Sequence, residues 1–315
     1  MNKIDLSKKK ILLTGGAGFL GSFVKDKLIT RGISEEQIFI PRSKDFDLRN
    51  REDCKKVVEG QDIVIHLAAN VGGIGYNKER PGELFYDNII IDTEMMEAAR
   101  KVNVEKFVAA GTICSYPKDT AVPFNEKDFW KGYPEETNAP YGLAKKMLTV
   151  QADAYRKQYN FNAIDLLQVN LYGPRDNFDL DSSHVIPALI RKIIEAKINN
   201  DDFIEVWGTG SATREFLYVE DAAEGIILAT EIYNKSEPVN LGSGMEISIK
   251  DLVKKLIDIT NYQGSIKWDS TKPDGQPRRM LDISKAFDEF GFRAKISFNE
   301  GLKKTVEWYE QNRIN

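Results

Sequence analysis

Residues 14–21 read Thr-Gly-Gly-Ala-Gly-Phe-Leu-Gly, and this stretch decides the fold because of what stands on either side of it. The apolar run Lys10–Thr14 before it predicts a buried strand, and Phe19–Arg31 after it predicts a helix that ends at Gly32. A glycine loop between a strand and a helix is typical of the first turn of a βαβ unit. This stretch therefore predicts a parallel sheet covered by helices.

The glycines of the loop follow the spacing G-x-x-G-x-x-G, and each has its own use. Gly15 permits the tight turn, Gly18 lets the backbone approach a pyrophosphate, and Gly21 lets the helix lie close to the sheet. The N-terminus of the helix presents free N–H groups and a positive dipole end to phosphates. An ordinary glycine-rich turn is the alternative, but the strand–loop–helix placement favours a dinucleotide site.

Strand and helix patterns alternate over the first half of the chain. This rhythm predicts the α/β class, with a doubly wound parallel Rossmann sheet and right-handed crossovers. Beyond it, Asn170–Phe178 reads as a turn-rich loop, and the remainder predicts a smaller C-terminal α/β lobe. We predict a dinucleotide-binding domain at 1–169, to which 216–240 return, and a substrate lobe at 170–215 and 241–315.

The composition excludes several classes of protein. Two cysteines and two histidines in 315 residues cannot form a disulfide scaffold, and they argue against a zinc site. The chain has 44 Lys and Arg against 48 Asp and Glu, so its net charge is −4. It therefore lacks the excess of basic residues that binding to nucleic acid or an anionic membrane requires. No window approaches the roughly 20 apolar residues of a membrane span. We expect a cytoplasmic protein without metal, nucleic-acid or membrane partners.

The end of the second predicted strand bears on the choice between NADP and NAD. Arg42 and Lys44 follow this strand and suit a ribose 2′-phosphate through charge-assisted hydrogen bonds. Asp45 is the counter-argument, because an acidic residue here binds the free 2′-hydroxyl of NAD. We favour NADP(H) and keep NAD(H) as the alternative. Asp47 and Leu48 would then face the adenine.

Tyr141 and Lys145 form a Y-x-x-x-K pair on a predicted helix, so both side chains lie on one face. A free tyrosine has a pKa of about 10, and an ammonium group beside the phenolate lowers it. Thr112 ends the strand predicted at Phe107–Ala110, where its hydroxyl can polarise a substrate carbonyl. A surface Tyr–Lys pair is the alternative, but together with the glycine loop the set predicts hydride transfer.

Each of the two cysteines and two histidines has a structural and a functional interpretation. Cys114 lies two residues beyond Thr112, at the same edge of the sheet, and is a better site candidate than Cys54 within a helix. His184 opens a predicted helix and is able to act as acid or base near neutral pH. His66 lies towards the end of a buried strand predicted at 62–69, and we interpret it as a packed core residue.

Seven further segments of the chain have a shared significance. The segments are LAANVGGIGYN (67–77), GTICSYPK (111–118), TNAPYGLAK (137–145), VNLYGPRDNF (169–178), SSHVIPALIRK (182–192), VWGTGSATREFLYVED (206–221) and KPDGQPRR (272–279). Together they resemble one family, the extended short-chain dehydrogenases/reductases, and within it the GDP-L-fucose synthases (GDP-4-keto-6-deoxymannose 3,5-epimerase-4-reductases). With the glycine loop they cover nearly the whole chain, and SSHVIPALIRK is much more specific than that loop.

The resemblance implies two reactions at one site. Thr112, Tyr141 and Lys145 would perform the reduction. Cys114 and His184 would be the epimerising pair, one removing a proton beside the 4-keto group and the other returning one on the opposite face. Epimerisation at C3 and C5 would come first, and NADPH would then reduce C4. The partner would be a GDP-sugar, and the family leads us to expect a homodimer through the helices at 81–102 and 139–159.

The remaining predicted contacts divide between cofactor and substrate. The predicted cofactor-binding residues are Gly15, Gly18, Phe19, Leu20, Gly21, Arg42, Lys44, Asp47, Leu48, Leu67, Ala68, Ala69, Ala110, Tyr141, Lys145 and Asn170. The resemblance implies that the substrate-binding residues are Asn177, Lys192, Trp207, Arg214, Asp274 and Arg279. Physically, the basic residues among them suit a diphosphate, and the tryptophan suits packing on a base or ribose.

Two alternative functions stay open at this stage. A related nucleotide-sugar 4-epimerase or 4-reductase with a different sugar would need Thr112, Tyr141 and Lys145 but neither Cys114 nor His184. A dinucleotide-binding regulatory protein on the same fold would need only the glycine loop, and the complete Tyr–Lys set argues against it.

Overall fold

A computed structural model describes residues 3–272 and 274–313 of the chain. The strands are β1 (Ile11–Thr14), β2 (Ile38–Phe39), β3 (Ile63–His66), β4 (Lys106–Thr112), β5 (Ala163–Gln168), β6 (Asn170–Tyr172), β7 (Phe203–Trp207), β8 (Thr213–Tyr218), β9 (Val239–Leu241), β10 (Glu246–Ser248), β11 (Ser265–Asp269) and β12 (Arg278–Arg279). The helices are α1 (Phe19–Thr30), α2 (Arg51–Val58), α3 (Ile74–Glu79), α4 (Pro81–Lys101), α5 (Ala139–Tyr159), α6 (Val185–Asn199), α7 (Val219–Ile232), α8 (Ile249–Thr260), α9 (Ser284–Phe290) and α10 (Phe298–Asn312). Within these described ranges, none of the helices is both long and apolar enough to span a membrane.

Six parallel strands form the central sheet, in the order β2-β1-β3-β4-β5-β9. The first strand is buried along its whole length, because helices cover both faces of the sheet. Ile11 and Leu13 face α1 and α7, while Leu12 faces the core that α2, α4 and α5 cover. Full burial of one such side chain stabilises the fold by about 1.5–3 kcal/mol. The predicted doubly wound parallel sheet is therefore confirmed, and it forms a firm base for the site.

The strand order reverses beside β1, because β2 lies on one side of it and β3 on the other. The helix α1 after β1 and the helix α4 after β3 cover opposite faces of the sheet, and this change of face marks the position of the ligand crevice at the carboxyl ends of the strands. In open α/β sheets, ligands bind at such a point. The glycine loop after β1 and Leu67–Ala69 after β3 border this crevice.

A second core lies beyond the end of β5. There β8 pairs with β6, β10 and β12, and β7 pairs with β11. The helices α6, α8 and α10 cover these small sheets with apolar side chains such as Ile190, Leu252 and Leu302, all of which are buried. This lobe places β8 and β12 against the edge of the central sheet that carries the crevice.

One segment packs differently from the predicted division of the chain. We assigned 241–315 to the substrate lobe, but Leu281, Ala286, Phe290 and Phe292 lie in the core beside α1 and α7. The reason is that β9 adds a sixth strand to the central sheet, and the apolar face of α9 covers it.

Three local expectations differ from the structure. The strand predicted at 62–69 ends at His66. The Leu67 N–H is shared between the Thr14 carbonyl and the Thr14 hydroxyl (3.2 Å each), and the Ala68 N–H donates to that hydroxyl (3.2 Å) instead of to a strand carbonyl. Part of the turn-rich loop is a strand, since Asn170–Tyr172 pairs with β8. The helix α3 was not predicted, because its sequence Ile-Gly-Tyr-Asn-Lys-Glu follows two glycines and has no clear helical period.

Candidate active site

The glycine loop brings the backbone of two strands into contact. Gly15 has a φ of +69°, and a Cβ atom there would lie 2.8 Å from the Ala68 nitrogen. A Cβ atom on Gly21 would overlap the Gly15 carbonyl oxygen. Gly18 donates its N–H to that carbonyl (2.9 Å) and is the N-cap of α1, where Phe19 and Leu20 form the first turn. This cradle fits a dinucleotide pyrophosphate at a helix N-terminus.

The loop after β2 carries the candidates for cofactor choice. Arg42 and Lys44 are exposed, and the Arg42 carbonyl accepts N–H groups from Asp45 and Phe46 in a tight turn. Asp47 accepts two hydrogen bonds from the Arg49 guanidinium (2.9 Å each), which keeps the pKa of this carboxyl below its usual value. The predicted adenine contact of this loop stays a prediction.

Leu48 and the other predicted cofactor contacts lie on four further elements. Leu48 packs partly buried beside Phe46, against the core under α2. Ala69 follows β3, Ala110 lies within β4, and Asn170 begins β6, where its amide donates to the Glu215 carbonyl (3.3 Å). Ala110 thus shares the central sheet with the glycine loop, while Asn170 joins the sheet to the second lobe.

The predicted proton-transfer residues meet where β4 ends and α5 begins. Thr112 is the last residue of β4, Tyr141 lies in the first turn of α5, and Lys145 follows one turn later. Burial raises the pKa of Tyr141, the charges of Cys114 and Asp92 raise it further, and the Thr112 hydroxyl lowers it. Tyr141 is therefore a neutral phenol at physiological pH, the form that donates a proton.

Lys145 is almost completely buried, and its ammonium group lies 3.0 Å from the Asp92 carboxylate of α4. Removing one partner of a buried ion pair costs about 3–5 kcal/mol, since the other charge stays uncompensated. The carboxylate therefore anchors Lys145 on the α4 side of its helix.

A glycine in α5 allows Cys114 to approach the proton-transfer residues. The 3-10 turn Ile113–Ser115 follows β4 directly, and a Cβ atom on Gly142 would overlap the Cys114 carbonyl oxygen. The Ser115 hydroxyl donates to the Gly142 carbonyl (2.8 Å) and fastens the turn to the helix. Cys114 consequently lies beside Tyr141, whose pKa its charge raises.

The Cys114 thiol has an amide on one side and a guanidinium on the other. Its Sγ–H faces the Asn138 Oδ1 atom (3.8 Å), and Nη1 of Arg279 donates to Sγ (3.6 Å). Asn138 is fixed in turn, because its amide donates to the Glu135 carboxylate (2.5 Å) and Asn77 of α3 donates to its Oδ1 atom (3.2 Å). The thiol is thus held in a polar cluster at the edge of the sheet.

His184 belongs to a neighbouring element, as the N-cap of α6. Burial lowers the pKa of its imidazole, so the ring is neutral at physiological pH. The loop before it touches the N-terminus of α3, where Gly73 donates its N–H to the Ser182 carbonyl (3.0 Å). Through Asn77, the same helix reaches the amide beside Cys114, so α3 connects the surroundings of the two predicted epimerising residues.

Two arginines stand side by side on neighbouring strands of the second lobe. Arg214 of β8 is in register with Arg279 of β12. Burial and the nearby Arg279 lower the pKa of Arg214 to about 10. Arg214 donates to the Asp274 carbonyl (3.0 Å), while Arg279 points to Cys114. Two adjacent cations, of which Arg279 is buried and Arg214 partly buried, are stabilised by an anion between them.

The other predicted substrate contacts border the same lobe. Trp207 ends β7 half-exposed, with the Lys272 ammonium 5.2 Å from its ring centroid. The Asp274 carboxylate accepts the Thr209 N–H and hydroxyl (2.7 Å each), which holds the turn after this tryptophan. Lys192 donates to the Glu205 carbonyl (3.1 Å).

Asn177 completes the predicted set. Its amide donates to the Ser182 hydroxyl (2.9 Å), two residues before His184. Among residues 3–272 and 274–313, no group of three or more His, Cys, Asp or Glu side chains is placed to hold a metal ion.

Comparison with known proteins identifies the family. A family model described as the NAD dependent epimerase/dehydratase family matches residues 11–242, which contain the glycine loop, the Tyr141–Lys145 pair and Arg214. The chain belongs to this family.

Relatives within the NAD dependent epimerase/dehydratase family show which kind of enzyme the chain is similar to. The chain is 39% identical over 311 residues to GDP-L-fucose synthase of Sinorhizobium fredii, covering 98% of this chain and 97% of that protein. The predicted resemblance to the extended short-chain dehydrogenases/reductases and GDP-L-fucose synthases is therefore confirmed.

Two solved structures are similar over almost the full length. A GDP-6-OMe-4-keto-L-xylo-heptose reductase from C. jejuni superposes with a TM-score of 0.92 at 25% identity, covering 99% of this chain and 100% of that chain. A GDP-L-fucose synthetase from Naegleria fowleri bound to NADP superposes with a TM-score of 0.88 at 29% identity, covering 99% and 96%. The name of each of these two proteins contains a GDP-linked sugar.

Sequence reasoning missed several polar residues of this epimerase/dehydratase site. Asp92 lies within the helix α4, and Asn77 lies in the unpredicted helix α3. Glu135 and Asn138 precede α5, where an asparagine before Ala-Pro is the one signal of a helix start. His66, interpreted as a packed core residue, is buried but also hydrogen-bonded at both ring nitrogens.

Proposed function

We propose that this chain is an NADP(H)-dependent nucleotide-sugar epimerase-reductase, which converts a GDP-4-keto-6-deoxymannose-type sugar into a GDP-L-fucose-type sugar. The observation that carries the proposal is the position of Cys114, which lies beside Tyr141 and receives a hydrogen bond from Arg279. A reductase needs only the Thr–Tyr–Lys set. A thiol held at that set adds a group that is able to remove a proton next to a carbonyl.

In the proposed epimerisation, Cys114 removes the proton from the carbon next to the 4-keto group, and the electron pair moves onto the keto oxygen. Tyr141 and Thr112 donate hydrogen bonds to this oxygen and stabilise the enolate. The protonated form of His184 gives a proton to the opposite face of the same carbon, which inverts it. The reaction occurs at C3 and C5, because both carbons are adjacent to the carbonyl.

In the proposed reduction, the same hydrogen bonds polarise the 4-keto group. When bound, NADPH supplies the hydride that C4 receives. Tyr141 donates its phenolic proton to the oxygen, and Lys145 stabilises the resulting phenolate from one helical turn away. The glycine loop and the N-terminus of α1 would hold the pyrophosphate of the cofactor, and Arg214 with Arg279 would hold the anionic part of the substrate.

The deciding experiment offers GDP-4-keto-6-deoxymannose to the purified chain with NADPH, and separately with NADH, while nicotinamide absorbance is followed. The product is identified by NMR, with heavy water as solvent. We expect oxidation of NADPH and a product that carries deuterium at C3 and C5. Inertness towards this substrate would overturn the proposed function.

A second candidate is a 4-reductase for a different GDP-sugar, without epimerisation. The structural similarity to the C. jejuni heptose reductase, with a TM-score of 0.92, supports this second candidate. The heavy-water experiment separates the two functions, because a simple reductase gives a product without deuterium at C3 and C5.

The exposed basic residues after β2 lead to a prediction on cofactor choice. Replacing both Arg42 and Lys44 by Ala should raise the KM for NADPH about tenfold or more, because charge-assisted hydrogen bonds to the 2′-phosphate are lost. The KM for NADH should change little. Steady-state kinetics with both cofactors measures this, and Lys55→Ala on α2 serves as the control for removal of an exposed cation. Equal effects on both cofactors would contradict the assignment.

We also propose a homodimer in which α4 and α5 of one protomer pack against those of its partner. These helices lie side by side and expose Phe85, Tyr86, Val150 and Tyr159, whose exposed fractions are 42, 60, 46 and 45%. Large apolar side chains exposed along two adjacent helices are available to a protein–protein interface. Sedimentation of the purified chain tests this, and a monomer at micromolar concentration would contradict it.

A further inference from the structure

A line of buried polar groups runs from the glycine loop to Lys145. The Thr14 hydroxyl lies 2.7 Å from Nδ1 of His66, Nε2 of His66 lies 3.0 Å from the Asp92 carboxylate, and that carboxylate lies 3.0 Å from the Lys145 ammonium. Their exposed fractions are 0, 0, 1 and 2% respectively. Burying a polar group costs free energy unless it is hydrogen-bonded. Each of these four groups has its partner within the line, and the purpose of this arrangement needs an explanation.

The donors along this line have one consistent direction. The Thr14 hydroxyl oxygen accepts the Ala68 N–H and a share of the Leu67 N–H, which the Thr14 carbonyl also receives. With these two donors on the oxygen, the hydroxyl proton is left for Nδ1 of His66. The remaining ring proton then sits on Nε2 and is donated to Asp92. Burial lowers the pKa of His66, which keeps the ring neutral in this tautomer.

We propose that Asp92 is a positioning residue for proton transfer: held by His66 and Thr14, it fixes the Lys145 ammonium one turn from Tyr141 and balances its charge. The inference rests on the proposed reduction and deepens it. Because Thr14 immediately precedes Gly15 and also binds the backbone after β3, the line joins both walls of the cofactor crevice to the proton-transfer lysine.

Several groups determine how a change at Asp92 reaches Tyr141. Thr112 and Cys114 face Tyr141 from β4 and the turn after it, while Asp92 faces it from α4 and pairs with Lys145 of α5. Asp165 of β5 also faces Lys145, and its burial raises its pKa to about 6.

Removing the charge of Asp92 lowers the pKa of Tyr141 for two reasons. It withdraws a negative charge that raises the pKa of Tyr141. It also leaves the positive charge of Lys145, one helical turn away on α5, without its partner. Both effects favour the phenolate. The reduction needs the protonated phenol, so in the variant its rate should begin to fall at a lower pH.

The first test compares Asp92→Asn with wild type and with Asp92→Glu in NADPH-dependent reduction across pH. We expect Asp92→Asn to lower kcat at least about tenfold and to move the alkaline limb of the kcat profile down by about one pH unit. Asp92→Glu, which keeps the carboxylate, should recover part of both. Asp153→Asn, an exposed carboxylate on α5, should leave the profile of wild type. An alkaline limb that stays in place or moves to higher pH would overturn the inference.

The second test needs no catalysis and uses the fact that the chain has only two histidines. In ¹⁵N NMR of histidine-labelled protein, with His66→Gln to assign the signals, the His66 ring should be neutral and protonated at Nε2 at neutral pH. Thr14→Val should disturb its Nδ1 signal more than Thr14→Ser, which keeps the hydroxyl. A ring protonated at Nδ1, or at both nitrogens, would overturn the inference.

The two tests also separate the failure of this inference from that of the proposed function. A wild-type chain inert towards the keto sugar removes the function, while the NMR still decides the direction of the line. If Asp92→Asn does not fold, His66→Leu and His66→Gln replace it, since Gln keeps a donor for Asp92 and Leu does not. Equal kcat values for these two variants would contradict a role of His66 in holding Asp92.

Discussion

Replacing Tyr141 by Phe should reduce the rate of NADPH oxidation with GDP-4-keto-6-deoxymannose by about 100-fold or more. The phenol is the one group that we assign to donate a proton to the developing alkoxide, and general acid catalysis contributes about 10²–10⁴-fold. The ring stays in place in this variant, so NADPH binding should change little. Stopped-flow measurement of a single turnover isolates the hydride-transfer step from product release.

Tyr155→Phe is the matched control for this variant. Tyr155 lies on the same helix, but its hydroxyl donates to Glu97 (2.8 Å) on the α4 side, away from Thr112. The Tyr155→Phe variant loses the same phenolic oxygen at a position outside the site, and its rate should stay near that of wild type. A loss below tenfold for Tyr141→Phe would favour the dinucleotide-binding regulatory protein over an enzyme.

Replacing Cys114 by Ser should abolish deuterium uptake at C3 and C5 from heavy water, a loss of at least about 100-fold. Serine keeps the shape, but its hydroxyl is a much weaker acid than a thiol, and so it exists far less often as the anion that removes a proton. NMR of the substrate incubated without NADPH measures the uptake directly. Undiminished uptake would rule out Cys114 as the base.

The second cysteine provides the control for this substitution. Cys54 is completely buried, and burial raises its pKa to about 12, so it is inert as a base. Cys54→Ser should leave the uptake unchanged, whatever it does to stability.

His184→Gln should give a different result from Cys114→Ser. The base still removes a proton and returns one from solvent to the same face, so deuterium enters without inversion. Because burial holds the pKa of His184 below 6.5, its acidic form increases as the pH falls through and below that value. The inversion rate of the wild type should therefore rise towards lower pH, up to the point where the base becomes protonated.

The local structure around the predicted site residues, which the sequence predicts correctly, depends on residues close together in the chain. The glycine loop and the Tyr141–Lys145 pair are local patterns on one strand–loop–helix unit and one helix. Their geometry follows from backbone rules alone. The same holds for the alternating strands and helices of the central sheet.

The parts that sequence reasoning misses depend on contacts between distant residues. Arg279 reaches Cys114 across 165 positions, and His66 reaches Asp92 across 26. Each member has a sufficient local explanation, as a turn residue or as part of an apolar strand or helix. Only the packing of α4 against α5 and of β12 against β8 brings them together. The roles of Cys114 and His184 came from the resemblance, since no local pattern marks a proton-transfer pair.

The return of β9 and α9 to the central sheet has a consequence for how such a protein can diversify. The chain passes between the two cores at 168–170, 218–219, 241–246, 279–281 and 290–298. A gene crossover at a position between residues 168 and 298 would exchange part of each core and leave mismatched packing in both. New sugar preferences are therefore more accessible through point substitutions near residues such as Arg279 than through transfer of a whole lobe by recombination.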